Sequence, residues 1–233
     1  ERSYIHARKI VLATGQDGSG RWWMPDCVEA LPKHLRAHAA DDIDFPSLAG
    51  KTVAVLGAGA SAFDNAAEAL DAGANPVHLF CRRADLQTIQ PLRYVTFHGF
   101  MRHLSEMNDV WRWRFMQHVL GLREGFPQDA YNRCTGYPHF RIRKGEPWLD
   151  ATVEDDSAVI RTPKGIFAAD YLICGTGVDM DCALRPELAP FAEHIATWAD
   201  RYDPPEKERE ERLGRYPYLG PDYAFLEKIP GAA

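Results

Sequence analysis

Residues 50–83 read GKTVAVLGAGASAFDNAAEALDAGANPVHLFCRR, and this stretch restricts the fold more tightly than any other part of the chain. TVAVLG is an apolar, β-branched run suited to a strand buried on both faces. SAFDNAAEALDAG places small apolar residues at helical spacing and stops at Gly73, and PVHLFCR is a second apolar strand. Strand, helix and strand in so short a space make a βαβ unit, the building block of a parallel sheet. The expected fold class is α/β with a Rossmann-like domain.

The turn between the first strand and the helix carries the chemistry. A pyrophosphate binds well where a strand turns into a helix, because the first helical N–H groups are unpaired and the helix dipole is positive there. Gly57 allows the tight turn, Gly59 leaves room for phosphate to approach the backbone, and Ala62 lets the helix pack close to the strand. Ser61 can donate its hydroxyl to a phosphate oxygen. Gly57, Gly59, Ala60, Ser61 and Ala62 are thus the candidate pyrophosphate contacts. G-x-G-x-x-A alone also describes an ordinary tight turn; the strand before it, the helix after it and the second strand at the right distance make it a dinucleotide motif.

The end of the second strand selects the dinucleotide. An Asp or Glu there suits the ribose 2′-hydroxyl of NADH, whereas a 2′-phosphate needs a cation. This chain has Arg82 and Arg83, with no acid before Asp85. The planar guanidinium fork matches a phosphate dianion, so NADPH is favoured over NADH. Arg82, nearest the strand end, is the preferred contact; for Arg83 a solvated surface position is an equal alternative.

Composition bounds the remaining possibilities. The 233 residues, 45% hydrophobic and 26% charged, are enough for one large domain or two small ones. No apolar run reaches the roughly 18 residues of a membrane span, and no basic-then-apolar leader opens the sequence, so a soluble cytoplasmic protein is expected. A net charge of −6 opposes a nucleic-acid role. Cys27, Cys81, Cys134, Cys174 and Cys182 contain no C-x-x-C pair and read as reduced structural thiols. His34 and His38 would share a helix face, but no ligand set surrounds them, and no metal site is expected.

The sequence opens in the middle of an apparent strand, KIVLATG (residues 9–15), from which missing upstream residues are expected. Residues 17–46 are rich in loop signals, with a short helix expected around Lys33 to Ala39. DVWRWRFMQHVLGL reads as a helix N-capped at Asp109, with Trp111, Phe115, Val119 and Leu122 as its apolar stripe and Val110, Trp113 or Arg114, and Gln117 as a weaker second line. Residues 158–162 and 166–168 form a hairpin, followed by a buried strand, Tyr171 to Cys174, that ends in G-T-G.

KIVLATG and DYLICGTG (170–177), flanking an NADPH-type βαβ unit, resemble the paired strand ends of flavoproteins that bind two dinucleotides, in particular the flavin-containing monooxygenases with their Baeyer–Villiger and N-hydroxylating relatives. ALPKHLRAHAADDIDF is similar to the family's linker, with His38 at the position of its histidine. The resemblance implies an NADPH domain (15–177, with a helical insert at about 85–150) set into an FAD domain represented by residues 1–14 and 178–233. It places Thr14, Gly15, His38, Gly175, Thr176 and Gly177 near the cofactors, where the strand-end residues serve equally well as hinge turns. It implies hydride transfer from NADPH to FAD and oxygenation of a small organic substrate with O₂, without nucleic acid or membrane partners; a homodimer stays open. The family's first FAD fingerprint and the Phe-x-Gly start of its linker are absent. No catalytic acid or base is identified. A disulfide-type flavin reductase and a non-catalytic NADPH sensor are the competing readings.

Overall fold

The computed structural model describes residues 5–8, 10–13, 20–122 and 125–231. Two compact units are present: residues 22–177 with 206–208, and residues 1–21, 178–205 and 209–233.

The larger unit is built on a five-stranded, all-parallel sheet in the order β2-β9-β3-β4-β5, from β2 (Arg36–His38), β3 (Val53–Leu56), β4 (Val77–Cys81), β5 (Phe140–Lys144) and β9 (Tyr171–Cys174). β3 and β4 are buried along their whole length, β3 being wholly apolar and β4 apolar except for His78. They are joined by α2 (Ala60–Asp71), which follows the short α1 (Asp26–Glu29) in the chain. Ala62, Phe63, Ala66, Ala67, Ala69 and Leu70 of α2 form its buried stripe, against Val53, Val55, Val77 and Leu79. The helix ends in a Schellman turn: Gly73 (φ +94°) donates to the Leu70 carbonyl and Ala74 to that of Ala69, both at 2.9 Å. α5 (Gln128–Thr135) packs beside it, with Arg133 bridging Glu68 and Asp71.

The opposite face of the sheet carries an antiparallel layer of β6 (Asp150–Glu154), β7 (Ser157–Thr162) and β8 (Gly165–Ala169). The expected hairpin is β7–β8; β6 extends it. Polar side chains lie between these layers. Arg143 sits 5.5 Å from the Phe80 ring centre and 4.9 Å from that of Phe167, donates to His78 Nδ1 at 3.1 Å, and pairs with the buried Glu146 at 3.6 Å. Burial, with Arg143 and Arg141 nearby, pushes the His78 pKa down to about 4, so this ring is a neutral acceptor.

Residues 85–150 contain α3 (His98–His103) and α4 (Asp109–Leu122), but also β5, so the stretch is not purely a helical insert. The α4 stripe differs from expectation. Trp111 is 59% exposed while Trp113 is buried, because Trp113 Nε1 and Gln117 Nε2 both donate to the Glu208 carbonyl, at 2.8 and 3.0 Å. Arg114 adds a two-pronged pair with the Glu208 carboxylate at 2.8 and 2.9 Å. A segment distant in sequence therefore chose the buried face. The helix expected over Lys33 to Ala39 is a single 3-10 turn, Lys33–Leu35, after which parallel pairing with β9 draws Arg36–His38 into the sheet. Of KIVLATG, residues 10–13 form no strand and Ile10 and Val11 are exposed; Lys9, Thr14 and Gly15 lie outside the described residues.

In the smaller unit, Cys182, Leu188 and Ile195 form a compact cluster. α6 (Trp198–Arg201) begins with a capping box between Thr197 and Asp200, and α7 (Glu211–Gly214) follows. β10 (Val178–Met180) pairs with β1 (Gly20–Trp22).

Two outcomes are expected of this architecture. A Cβ on Gly175 would lie 2.8–3.0 Å from the Cβ, Cα and N of Ala62, whereas one on Gly121, in α4, meets nothing within 4 Å. Gly175→Ala should therefore cost about 1–3 kcal/mol in urea unfolding, while Gly121→Ala should be neutral or stabilising by up to about 1 kcal/mol. His78 titrates at 6.5 when unfolded and about 4 when folded. The unfolded chain thus binds more protons between these values, and stability present above pH 6.5 is lost as the pH falls toward 4. The contribution is up to about 3 kcal/mol, and unfolding curves of His78→Gln should show a flatter dependence over that window.

Candidate dinucleotide site

Because all five strands of the main sheet are parallel, their carboxyl ends share one edge. There the sequence candidates His38, Gly57, Arg82 and Gly175 follow or finish β2, β3, β4 and β9. From β3 the chain proceeds to β4 and β5 on one side, while β9 flanks β3 on the other. The gap between the ends of β3 and β9 is the switch point at which open α/β sheets bind ligands.

Three small residues meet at this point. Gly57 has φ +127°, and a Cβ there would lie 2.4 Å from the Gly175 carbonyl oxygen. Gly175 in turn lies against Ala62 of α2. The Gly57 N–H donates to Phe80 at 2.9 Å and the Gly175 N–H to Leu56 at 2.8 Å, extending the parallel ladder beyond the strands. Gly175 thus acts through packing: it lets the end of β9 approach the helix that follows the loop.

Among the described residues, no side chain caps the amino end of α2. Gly59 is the N-cap and provides no side-chain cap, and no acidic residue occupies the first turn. The N–H groups of Ala60, Ser61 and Ala62 precede the first intrahelical bond, from Phe63 to the Gly59 carbonyl at 3.2 Å. Ser61 is exposed beside them. This arrangement accepts an anion without displacing a carboxylate.

The two arginines separate. Arg83 donates to the carbonyls of Leu122 at 3.0 Å and Gly121 at 2.8 Å, and Gln87 adds a second donor to Leu122 at 2.8 Å. These are terminal carbonyls of α4, which lack partners within their own helix. Arg82 is exposed and has no side-chain hydrogen bond or ion pair among the described residues. Arg83 thus caps a helix, an arrangement that neither expectation for it described.

His38 ends β2 and is 4% exposed. Its ring stacks on Trp22, with centroids 5.1 Å apart, and its Nδ1 accepts from the Ala40 N–H at 3.1 Å. Burial lowers its pKa despite the nearby Asp41 carboxylate and Gly177 carbonyl, so the neutral ring carries its proton on Nε2, which has no partner among the described residues. Thr176 Oγ1 donates to the Trp23 carbonyl, and Trp23 N–H donates to Gly177 at 2.9 Å, so the G-T-G turn is tied to the segment before α1. Gly177 has φ +84° and open space around it. Sequence reasoning missed Trp22 and Trp23, whose pairing no local pattern announces. It also missed Lys144, which the alternation of FRIRK would have placed at a strand end.

Burial raises the thiol pKa values of Cys134 and Cys174 to about 12 and raises those of Cys27 and Cys182, so these thiols stay protonated at neutral pH.

No family model matches the chain. It is 40% identical over 230 residues to an FAD-dependent urate hydroxylase from Xanthomonas campestris pv. campestris, covering 98% of this chain and 49% of that protein, so the chain spans about half the length of the curated relative it matches. Among solved structures, L-lysine 6-monooxygenase from Pseudomonas syringae aligns with TM-score 0.64 and 18% identity over 90% of this chain and 52% of its own. The reduced ornithine hydroxylase from Pseudomonas aeruginosa gives 0.61 and 16% over 90% and 51%. A Kutzneria ornithine N-hydroxylase, with reduced FAD, NADP⁺ and L-ornithine, gives 0.57 and 18% over 84% and 50%. At these identities the likeness to the solved structures is one of fold.

Arg83→Ala should leave the Gly121 carbonyl without its side-chain donor and reduce the cap on Leu122, lowering stability by about 1–2 kcal/mol in chemical denaturation.

Proposed function

We infer that this chain, whose curated relative and structural neighbours are flavin monooxygenases, is the NADPH-binding portion of such an enzyme with segments of its FAD domain attached. The observation that carries the reading is the open amino end of α2 at the switch point, with Arg82 exposed and uncommitted at the end of β4.

The residues present fit NADP(H). Gly57 and Gly59 shape the turn so that the pyrophosphate can approach, the N–H groups of Ala60, Ser61 and Ala62 and the Ser61 hydroxyl would hold it, and Arg82 would take the 2′-phosphate. A dinucleotide held by these residues would supply the hydride for a flavin-dependent oxygenation of a small organic substrate with O₂. His38 stands at the same edge, and its buried ring would reach the cofactor only once the groups covering it move aside. Gly175, Thr176 and Gly177 form the turn that precedes the segment starting at residue 178, which we assign to the FAD domain; Thr14 and Gly15 lie outside the described residues. The chain carries one glycine fingerprint, for the nicotinamide dinucleotide, and the residues that would hold FAD are assigned to the remainder of the enzyme. Because the relative sharing 40% identity is a urate hydroxylase, urate is the first substrate to test.

Arg82→Ala should weaken NADPH by about 1.5–3 kcal/mol and leave NADH nearly unchanged, as titrations of both cofactors would show. Equal loss for the two would overturn the 2′-phosphate assignment. Expression of the complete reading frame should yield a protein with a flavin absorbance spectrum that consumes NADPH and O₂ in the presence of urate; a colourless protein would overturn the monooxygenase reading.

A further inference from the structure

We propose that Lys144 is a second cation for the 2′-phosphate of NADP(H), and that Asp85 holds this lysine when the phosphate is absent. The proposal rests on the NADPH reading above and adds a residue that determines cofactor specificity.

β5 is the parallel neighbour of β4, and Lys144 is in register with Cys81, the residue immediately before Arg82. The pairing continues past both strand ends. Gly145 donates to the Arg83 carbonyl at 2.8 Å and Glu146 to that of Cys81 at 3.0 Å, which fixes Lys144 beside the loop leaving β4. Its ammonium reaches over that loop, because Lys144 Nζ lies 3.2 Å from Asp85 Oδ1, three residues beyond Arg82. Arg83 is committed to the carbonyls of α4. Without Lys144, Arg82 would face a phosphate dianion alone.

The Lys144–Asp85 pair is suited to exchange. Its side chains are 47% and 90% exposed, and an ion pair in water holds weakly. A phosphate brings more charge and more acceptor oxygens than one carboxylate, so it displaces Asp85 from the lysine. With NADH no phosphate arrives and the pair stays closed. Asp85, the first acid after the strand, then neutralises a cation instead of binding the ribose.

The test is titration of the chain with NADP⁺ and NAD⁺, with 2′,5′-ADP as an isolated phosphate probe. Lys144→Ala should weaken NADP⁺ and 2′,5′-ADP about tenfold while NAD⁺ stays within about twofold, and Lys144→Arg should retain the preference. Asp85→Asn should tighten NADP⁺ severalfold without affecting NAD⁺. Selective loss in Arg82→Ala but unchanged binding in Lys144→Ala would overturn this proposal and leave the NADPH reading standing. Equal weakening of both cofactors by Lys144→Ala would also overturn it, marking the lysine as structural. A wild-type chain that binds NADP⁺ no better than NAD⁺ would instead remove the NADPH reading itself.

Discussion

The contact among Gly57, Gly175 and Ala62 governs the larger unit. Two strand ends and the start of a helix approach so closely that a Cβ on either glycine would fall within 3 Å of neighbouring backbone. Because packed interiors do not deform gradually, this contact sets how far α2 stands from the sheet and where its first N–H groups open. The open helix end proposed to take an anion is a by-product of the packing. The helix can present bare N–H groups at the switch point only because nothing larger than a methyl group separates it from β3 and β9.

Around this contact, the strand ends have different tasks. Arg83 and Gln87 serve α4 by satisfying its terminal carbonyls, and Arg82 is left to the crevice. α4 is held at another point by Glu208, whose carboxylate and carbonyl engage Arg114, Trp113 and Gln117. A helix with apolar residues on several sides has no single face that its own sequence marks for burial. Its orientation follows from which polar partners reach it.

Much of the site could be read in the chain because its signals are local. The β3-α2-β4 unit, the stop at Gly73, the β7–β8 hairpin and the strand Tyr171–Cys174 all follow from periodicity and turn residues a few positions apart. β2 was mistaken for a helix because Arg36–His38 becomes a strand only by pairing with β9, well over a hundred residues later. β5 depends in the same way on distant partners: FRIRK alternates, but it becomes a strand of the sheet by pairing with β4, and the half-buried Arg143 is accommodated by the rings of Phe80 and Phe167 and the carboxylate of Glu146.

By itself the sequence determined the βαβ unit, the glycine turn and the pair of arginines that follows β4, since each depends on backbone freedom and side-chain spacing within one short segment. Only the tertiary structure decided which arginine is available, that Gly175 packs against Ala62, that His38 is buried with a protonated Nε2, and that Lys144 overhangs the Arg82 loop. Those outcomes depend on which strands become neighbours, and strand neighbours are chosen by burial of the whole sheet, an energy that no single segment contains.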